Sequence, residues 1–289
     1  MIIDFHTHTF PDKIASKAID KLSHEAHIIP HRDGTASSLA STSAASGVDL
    51  SVILPVATSP GQVERINDTA ALLNESQNMK EPGALLSFAS IHPDYAEPKK
   101  EILRIKEHGF KGIKIHPVYQ NTDIDDIRFL RIISLAAEQD LIVVTHAGLD
   151  IGFPGRLESS PDKCKKVLDE IGSFKFVLAH MGGWKNWEDV KTLLSGYDIW
   201  LDSAFSTGEI EPLTDGYWDD KDKSLLSPEG FMEMVQIFGL DRILFGTDSP
   251  WSDQKKSMDF IKNLPLSDKE KNMILGENAK NLLSLRQCS

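Results

Sequence analysis

Histidine and aspartate residues follow short apolar runs at several places in this chain. The four segments that carry them are Asp4-Phe5-His6-Thr7-His8, Thr145-His146-Ala147-Gly148, Ala179-His180-Met181-Gly182-Gly183 and Gly246-Thr247-Asp248-Ser249-Pro250. Imidazole nitrogen and carboxylate oxygen are common ligands of zinc and of neighbouring divalent ions. The residue types therefore indicate metal-assisted chemistry on a small substrate.

His6 and His8 are two residues apart in a predicted strand, so their side chains point to the same face. Two imidazoles on one face suit a single ion, and a carboxylate such as Asp248 completes a mixed nitrogen and oxygen ligand set. Taken alone, the pair fits two hydrogen-bonded strand-end histidines equally well. The further residues His146, His180 and Asp248 favour the metal site, because a buried carboxylate without a partner carries a large desolvation penalty.

Eight short apolar runs position these residues. They span 2–8, 50–57, 85–92, 112–117, 141–148, 176–183, 199–205 and 243–250. Most are continuously apolar, as strands buried on both faces of a parallel sheet are, and stretches with helical spacing lie between them. This alternation and the length of 289 residues predict one (β/α)8 TIM-barrel domain over residues 1–289. Such barrels place their active sites at the carboxyl ends of the strands.

The helical stretches are predicted from apolar spacing and from start signals. One apolar stripe would contain Val63, Ile66, Ala70 and Leu73, and another Ile127, Leu130, Ile133 and Ala137. Helix starts are expected at Pro161-Asp162 and Ser267-Asp268, with a last helix over 267–285. Residues 208–227 are expected to form a long loop.

Composition excludes several classes of protein. The net charge is −12 without a basic cluster, which disfavours nucleic acid as a partner. No apolar run approaches the ~20 residues that span a bilayer, so no membrane association is expected. The start of the chain lacks the pattern of a secretory signal, and the two cysteines, Cys164 and Cys288, are too few for a disulfide scaffold. We therefore expect a cytoplasmic protein.

The four segments together resemble the amidohydrolase superfamily, and most closely its branch with aminocarboxymuconate semialdehyde decarboxylase and related decarboxylases and lactonases. The resemblance covers essentially the whole chain and implies a TIM barrel of the metallo-dependent hydrolase type. By this resemblance, His6, His8, His146 and Asp248 hold one divalent ion, zinc or alternatively manganese. His180 would lie beside it, and members of the family often form homodimers.

The resemblance also implies roles for individual residues. Asp248 would take the proton of a water molecule whose pKa the ion lowers from ~15.7 to about 7. His180 would steer or protonate the substrate, or serve equally well as a further ligand. Lys114 would bind a substrate anion, unless it forms a salt bridge or, in a carboxylated form, bridges two ions. His116 would contact substrate or merely end its strand, and Trp251 is a pocket candidate by position.

Four functions remain open at this stage. The first is hydrolysis of a C–N or C–O bond in a small carbonyl compound, and the second is decarboxylation at the same metal site. A metal-independent lactonase and a non-catalytic binding barrel are the third and fourth. The motifs of serine hydrolases and of nucleotide-binding loops are missing from the sequence.

Overall fold

The computed structural model describes residues 1–285, and residues 286–289, which include Cys288, lie outside the described part. The strands are β1 Ile3–Thr7, β2 Leu50–Ile53, β3 Ala84–Ser87, β4 Ala89–Ser90, β5 Gly112–Ile115, β6 Ile142–Thr145, β7 Phe176–Leu178, β8 Trp200–Asp202 and β9 Ile243–Leu244. Each of the eight predicted runs contains a strand, and the third run also overlaps β3, which begins one residue before it and is separated from β4 by Phe88. The strands are shorter than the runs, so the polar residues at the run ends lie at strand ends or in the loops that follow.

Helices separate most of the strands along the chain. They span Asp12–Ala26, Ala36–Ser46, Val63–Ser76, Pro98–Glu107, Ile127–Glu138, Pro161–Ile171, Trp187–Leu194, Asp220–Lys223, Pro228–Phe238, Gln254–Asn263, Asp268–Asn272 and Asn278–Leu282. Within residues 1–285, no helix is both long enough and apolar enough to cross a bilayer.

Two compact units make up the described chain, and each combines several segments. Unit 1 contains Met1–Ile53, Asn78–Leu85 and the described residues from Asp202 onward, and unit 2 contains Leu54–Gln77 and Leu86–Leu201. The expectation of a single domain stays a prediction.

In unit 1, β1 pairs in parallel with β2, with Ile3 opposite Leu50. On its other side, the backbone N–H of Phe5 donates to the carbonyl of Phe245, 2.8 Å away, just after β9. Phe5 and Phe245 are both fully buried. The apolar residues of β1 thus anchor the strand in the core, and the chain continues from there to His8.

In unit 2, a parallel ladder joins β4, β5, β6, β7 and the start of β8. Ile113, Val144 and Val177, on three successive strands, are fully buried. This agrees with the continuously apolar runs of the sequence, since strands of a parallel sheet are covered on both faces.

The predicted helix starts are confirmed, but one predicted apolar stripe is right only at Ile133, which is buried. Pro161 opens a helix, and Ser267 caps the next predicted one in a capping box with Glu270. The last helix passes through a π-helical turn, Met273–Glu277, to Leu282. Ile127 was expected in an apolar stripe and is 75% exposed, because it directly follows the N-cap residue Asp126 and points outward. The buried face consists of Phe129, Ile132, Ile133 and Ala136.

The other predicted stripe is right in part, since Val63 and Ala70 are buried while Ile66 and Leu73 are half-buried. The expected loop at 208–227 contains the short helix Asp220–Lys223. It also forms bridges between Thr207 and Leu226 and between Glu209 and Ser224, so it is more regular than predicted.

Candidate functional site

Three predicted ligands come together in unit 1, two of them in or just after β1 and one in the loop that follows β9. The Nε2 atoms of His6 and His8 are 3.1 Å apart, and Oδ1 of Asp248 lies 3.5 Å from the first and 3.0 Å from the second. The ligand atoms of a tetrahedral ion with bonds of 2.0–2.1 Å are separated by ~3.3 Å. The spacing and the chemistry of this donor set therefore fit a divalent ion.

A carboxylate that the sequence reasoning missed supports the first of these histidines. Oδ2 of Asp202, the last residue of β8, lies 2.9 Å from Nδ1 of His6, and both side chains are at most 1% exposed. An Nδ1–H donated to this carboxylate leaves the lone pair of Nε2 directed at the cluster, as in many carboxylate, histidine and metal triads. The signal that could have identified Asp202 is that it is the only charged residue within the predicted run 199–205.

Asp248 has an unusual backbone conformation. Its φ angle is +64°, in the left-handed region, which costs a residue other than glycine roughly 1–3 kcal/mol. The backbone on both sides is tied down, since the N–H of Asp248 donates to the carbonyl of His6 at 2.8 Å and the N–H of Trp251 donates to the carbonyl of Asp248 at 2.8 Å. Trp251 is itself half-buried. The conformation is held by its neighbours, as is usual where a strained residue serves a site.

A buried acid, Asp4, fixes the residue that precedes Asp248. Its carboxylate accepts hydrogen bonds from the backbone N–H and the hydroxyl of Thr247, at 3.0 and 2.6 Å, and from Nε2 of Gln254 at 2.8 Å. Burial raises the pKa of Asp4 to about 6, although these hydrogen bonds act in the opposite direction. Because two of these donors belong to Thr247, Asp4 acts as an anchor for the segment that carries Asp248.

A second cluster lies in unit 2 and consists of His116, His146 and Asp150. The Oδ2 atom of Asp150 is 3.5 Å from Nε2 of His116 and 3.7 Å from Nε2 of His146. The two imidazole rings are stacked, with centroids 4.3 Å apart. Asp150 is buried, and its Oδ1 accepts a hydrogen bond from the N–H of Gly152 at 2.8 Å. The strand pattern does not predict Asp150, because this residue lies in a loop, two residues beyond the predicted run 141–148.

His180 and Lys114 complete the predicted residues of unit 2. Nε2 of His180 lies 3.0 Å from Nδ1 of His146, and the carbonyl of His180 accepts a hydrogen bond from the indole N–H of Trp187 at 3.1 Å. Lys114 is fully buried in β5, two residues before His116.

Each unit therefore contains one cluster of the predicted site residues. Unit 1 brings together His6, His8 and Asp248, and unit 2 brings together His116, His146 and His180. The assignment of His146 to the same ion as the ligands of unit 1 stays a prediction, and so do the substrate-binding roles of the remaining candidates Lys114, His116 and Trp251.

Comparisons with known proteins assign the chain to a family and a fold. A family model described as amidohydrolase matches residues 3–285. Among curated proteins, the sequence comparison finds none that matches this chain.

Several solved structures are similar over almost their whole length. A 2,6-dihydroxybenzoate decarboxylase from Rhizobium has a TM-score of 0.67 and 14% identity, with 98% of both chains covered. For an uncharacterised TIM-barrel protein from Bordetella bronchiseptica, the TM-score is 0.70 and the identity 16%, with 98% of both chains covered. A dihydroxybenzoic acid decarboxylase from a Polaromonas species, solved with manganese and 2-nitroresorcinol, has a TM-score of 0.65 and 16% identity, with 98% of this chain and 97% of that chain covered. The predicted fold class, the (β/α)8 TIM barrel, is thereby confirmed.

Proposed function

The chain belongs to the amidohydrolase family, and we propose that it is a metal-dependent decarboxylase of a small carboxylated aromatic compound. The observation that carries this proposal is the convergence of His6, His8 and Asp248 on one point, with Asp202 behind the first of them. Decarboxylation is favoured over the expected hydrolysis because two of the similar structures, matched over nearly the full length of both chains, are named as decarboxylases of dihydroxybenzoates.

The donor set determines which ion the site would accept. Two imidazole nitrogens with one carboxylate oxygen suit zinc, and the same mixture also suits manganese. The Polaromonas decarboxylase was solved with manganese, which supports that ion as strongly as the ligand chemistry supports zinc. We propose one divalent ion per chain, held by His6, His8 and Asp248, with His146 as the further ligand that the sequence predicts. A bound divalent ion would polarise the substrate's carboxylate and a neighbouring oxygen.

The residues of the chain would supply the proton that the reaction needs. Loss of carbon dioxide breaks the bond between the carboxyl carbon and its neighbour, and the electron pair left on that neighbour takes up a proton. We assign delivery of this proton to Asp248, which would first take it up from water, since its side chain is 12% exposed and therefore reachable from outside the cluster. His180 is the second group able to carry a proton near neutral pH.

A direct test is to incubate the metal-loaded protein with hydroxybenzoates that carry the carboxylate beside a hydroxyl, and to quantify carbon dioxide and the decarboxylated phenol. We expect equal amounts of both products, with no ¹⁸O from labelled water in the phenol. The Asp248→Asn protein is the negative control. Uptake of ¹⁸O without release of carbon dioxide would contradict the proposal.

Hydrolysis is the second candidate function. It is favoured by the family model, whose description is amidohydrolase. In that reaction Asp248 would take a proton from the attacking water and return it to the leaving group. The same labelling experiment, carried out with amides and lactones, separates the two reactions because only hydrolysis adds an oxygen atom from water to the product.

A further inference from the structure

A buried cation lies next to the segment that carries Asp248. Arg32, in the connection between the helices Asp12–Ala26 and Ala36–Ser46, is only 8% exposed. Its Nε donates to the hydroxyl of Ser249 at 2.7 Å, and its Nη2 donates to the carbonyl of His8 at 3.2 Å. The guanidinium thus contacts the proposed ligand residue His8 directly, and it contacts Ser249, which follows the proposed ligand Asp248.

Keeping this charge inside unit 1 is unfavourable unless other groups compensate for it. Burial lowers the pKa of Arg32 to about 10, while the nearby carboxylates of Asp4 and Asp33 act in the opposite direction. The side chain therefore remains charged at neutral pH, and a charged donor forms stronger hydrogen bonds than a neutral one. Nη1 also donates to the carbonyl of Thr35 at 3.4 Å, so all three nitrogens have an acceptor.

The backbone already links the segment of Asp248 to the segments of His8 and of Arg32. The N–H of His8 donates to the carbonyl of Ser249 at 2.7 Å, and the N–H of His31, the neighbour of Arg32, donates to the carbonyl of Pro250 at 2.8 Å. Arg32 adds side-chain hydrogen bonds from its own segment to both His8 and Ser249. A planar guanidinium does this with fixed geometry, which the single ammonium of lysine cannot reproduce.

We propose that Arg32 is a positioning residue that fixes the distance between the ligand atoms of His8 and Asp248. The inference rests on the proposed metal site, and it concerns how tightly that site is held. Residues that orient metal ligands from outside typically change metal affinity 10–100-fold when they are replaced. Replacement of Arg32 is expected to change the metal affinity by about the same factor, although its side chain would contact neither the ion nor the substrate.

The test is a titration of chelator-treated protein with Co²⁺, followed by visible absorption, whose intensity reports the coordination geometry. For Arg32→Met we expect binding weaker by about 10–100-fold and an altered spectrum. Arg32→Lys should recover only part of the affinity. The variant retains the positive charge, but it loses the planar guanidinium that donates to several acceptors at once. Arg131→Met, at an exposed position of the helix Ile127–Glu138, is the matched control and should bind Co²⁺ like the unchanged protein.

A second variant covers the case in which Arg32→Met fails to fold. Ser249→Ala removes the acceptor of Nε and retains the cation, and it should weaken Co²⁺ binding about several-fold, less than the loss of Arg32 itself. Unchanged affinity and spectrum in the folded Arg32→Met and Ser249→Ala proteins would overturn the inference while leaving the metal site intact. An unchanged protein that binds no Co²⁺ would overturn the proposed function and, with it, this inference.

Discussion

Asp202 holds the imidazole of His6 through a buried contact of 2.9 Å between Oδ2 and Nδ1. The contact determines which ring nitrogen carries the proton, and it leaves Nε2 to face His8 and Asp248. A carboxylate in this position also increases the basicity of the imidazole, which strengthens its bond to an ion.

Replacing Asp202 with Asn should therefore weaken the metal site while retaining the fold. The amide keeps the size of the side chain, but it loses the charge that stabilises the Nδ1–H form of His6. We expect the dissociation constant for Zn²⁺ to rise about 10–100-fold in competition titrations with a chelator. Asp215→Asn, at an exposed position, is the control. Equal affinity in the Asp202→Asn protein would show that this contact is structural only.

Replacing Asp248 with Asn should separate metal binding from turnover. Asparagine tolerates a positive φ angle and still offers an oxygen ligand, so the folded protein should keep most of its metal. It cannot carry a proton, so we expect kcat to fall by about 10²–10⁴-fold, the contribution typical of a general acid or base. Metal content and initial rates, measured on the same preparation, check both parts. A fully active variant would refute the role of Asp248 as proton carrier.

His92 should contribute to the acid sensitivity of the fold. It is buried at the end of the third predicted run, its Nδ1 accepts the backbone N–H of Asp94 at 3.1 Å, and burial lowers its pKa from the ordinary value of 6.5. Below that pH the unfolded chain binds a proton that the folded chain resists. The protein is therefore most stable with respect to this group above pH 6.5. Its free energy of unfolding decreases as the pH falls below that value, through the lowered pKa of His92.

The measurement is urea denaturation of chelator-treated protein at pH 7.5, 6 and 5. His92→Asn keeps an acceptor for Asp94 and removes the titrating group, so its free energy of unfolding should decrease less steeply over this range. Identical slopes for His92→Asn and the unchanged protein would exclude this contribution.

Lys114→Met should distinguish a substrate-binding lysine from a metal-bridging one. Methionine has a similar length and suits the buried site in β5, so the fold should survive. If Lys114 binds a substrate anion, KM rises and the metal content stays at one per chain. A decrease in metal content from two to one would instead indicate a carboxylated, bridging lysine.

The main features of the fold followed from the sequence, because parallel strands need continuous apolar runs and this chain has eight of them. His6, His8 and Asp248 were predicted for the same reason, since each lies in the last three residues of such a run. Asp150 escaped prediction because its contacts with His116 depend on a loop conformation that no periodicity encodes.

Which face of a helix is buried also depends on the elements against which the helix packs. The stripe that begins at Ile127 and the buried face that begins at Phe129 have nearly the same spacing in sequence. Packing of the helix Ile127–Glu138 against the rest of unit 2 decides between them. The role of Arg32 likewise arises from contacts across more than 200 residues of chain, to Ser249.

The proposed metal site is tested most directly by the metal content of the protein, determined by elemental analysis after purification without chelators and after supplementation with Zn²⁺ or Mn²⁺. We predict one ion per chain in the unchanged protein and essentially none in folded His6→Ala, whose circular dichroism should be retained. The same metal content in both proteins, or none in the unchanged protein after supplementation, would contradict a metal site built on His6, His8 and Asp248.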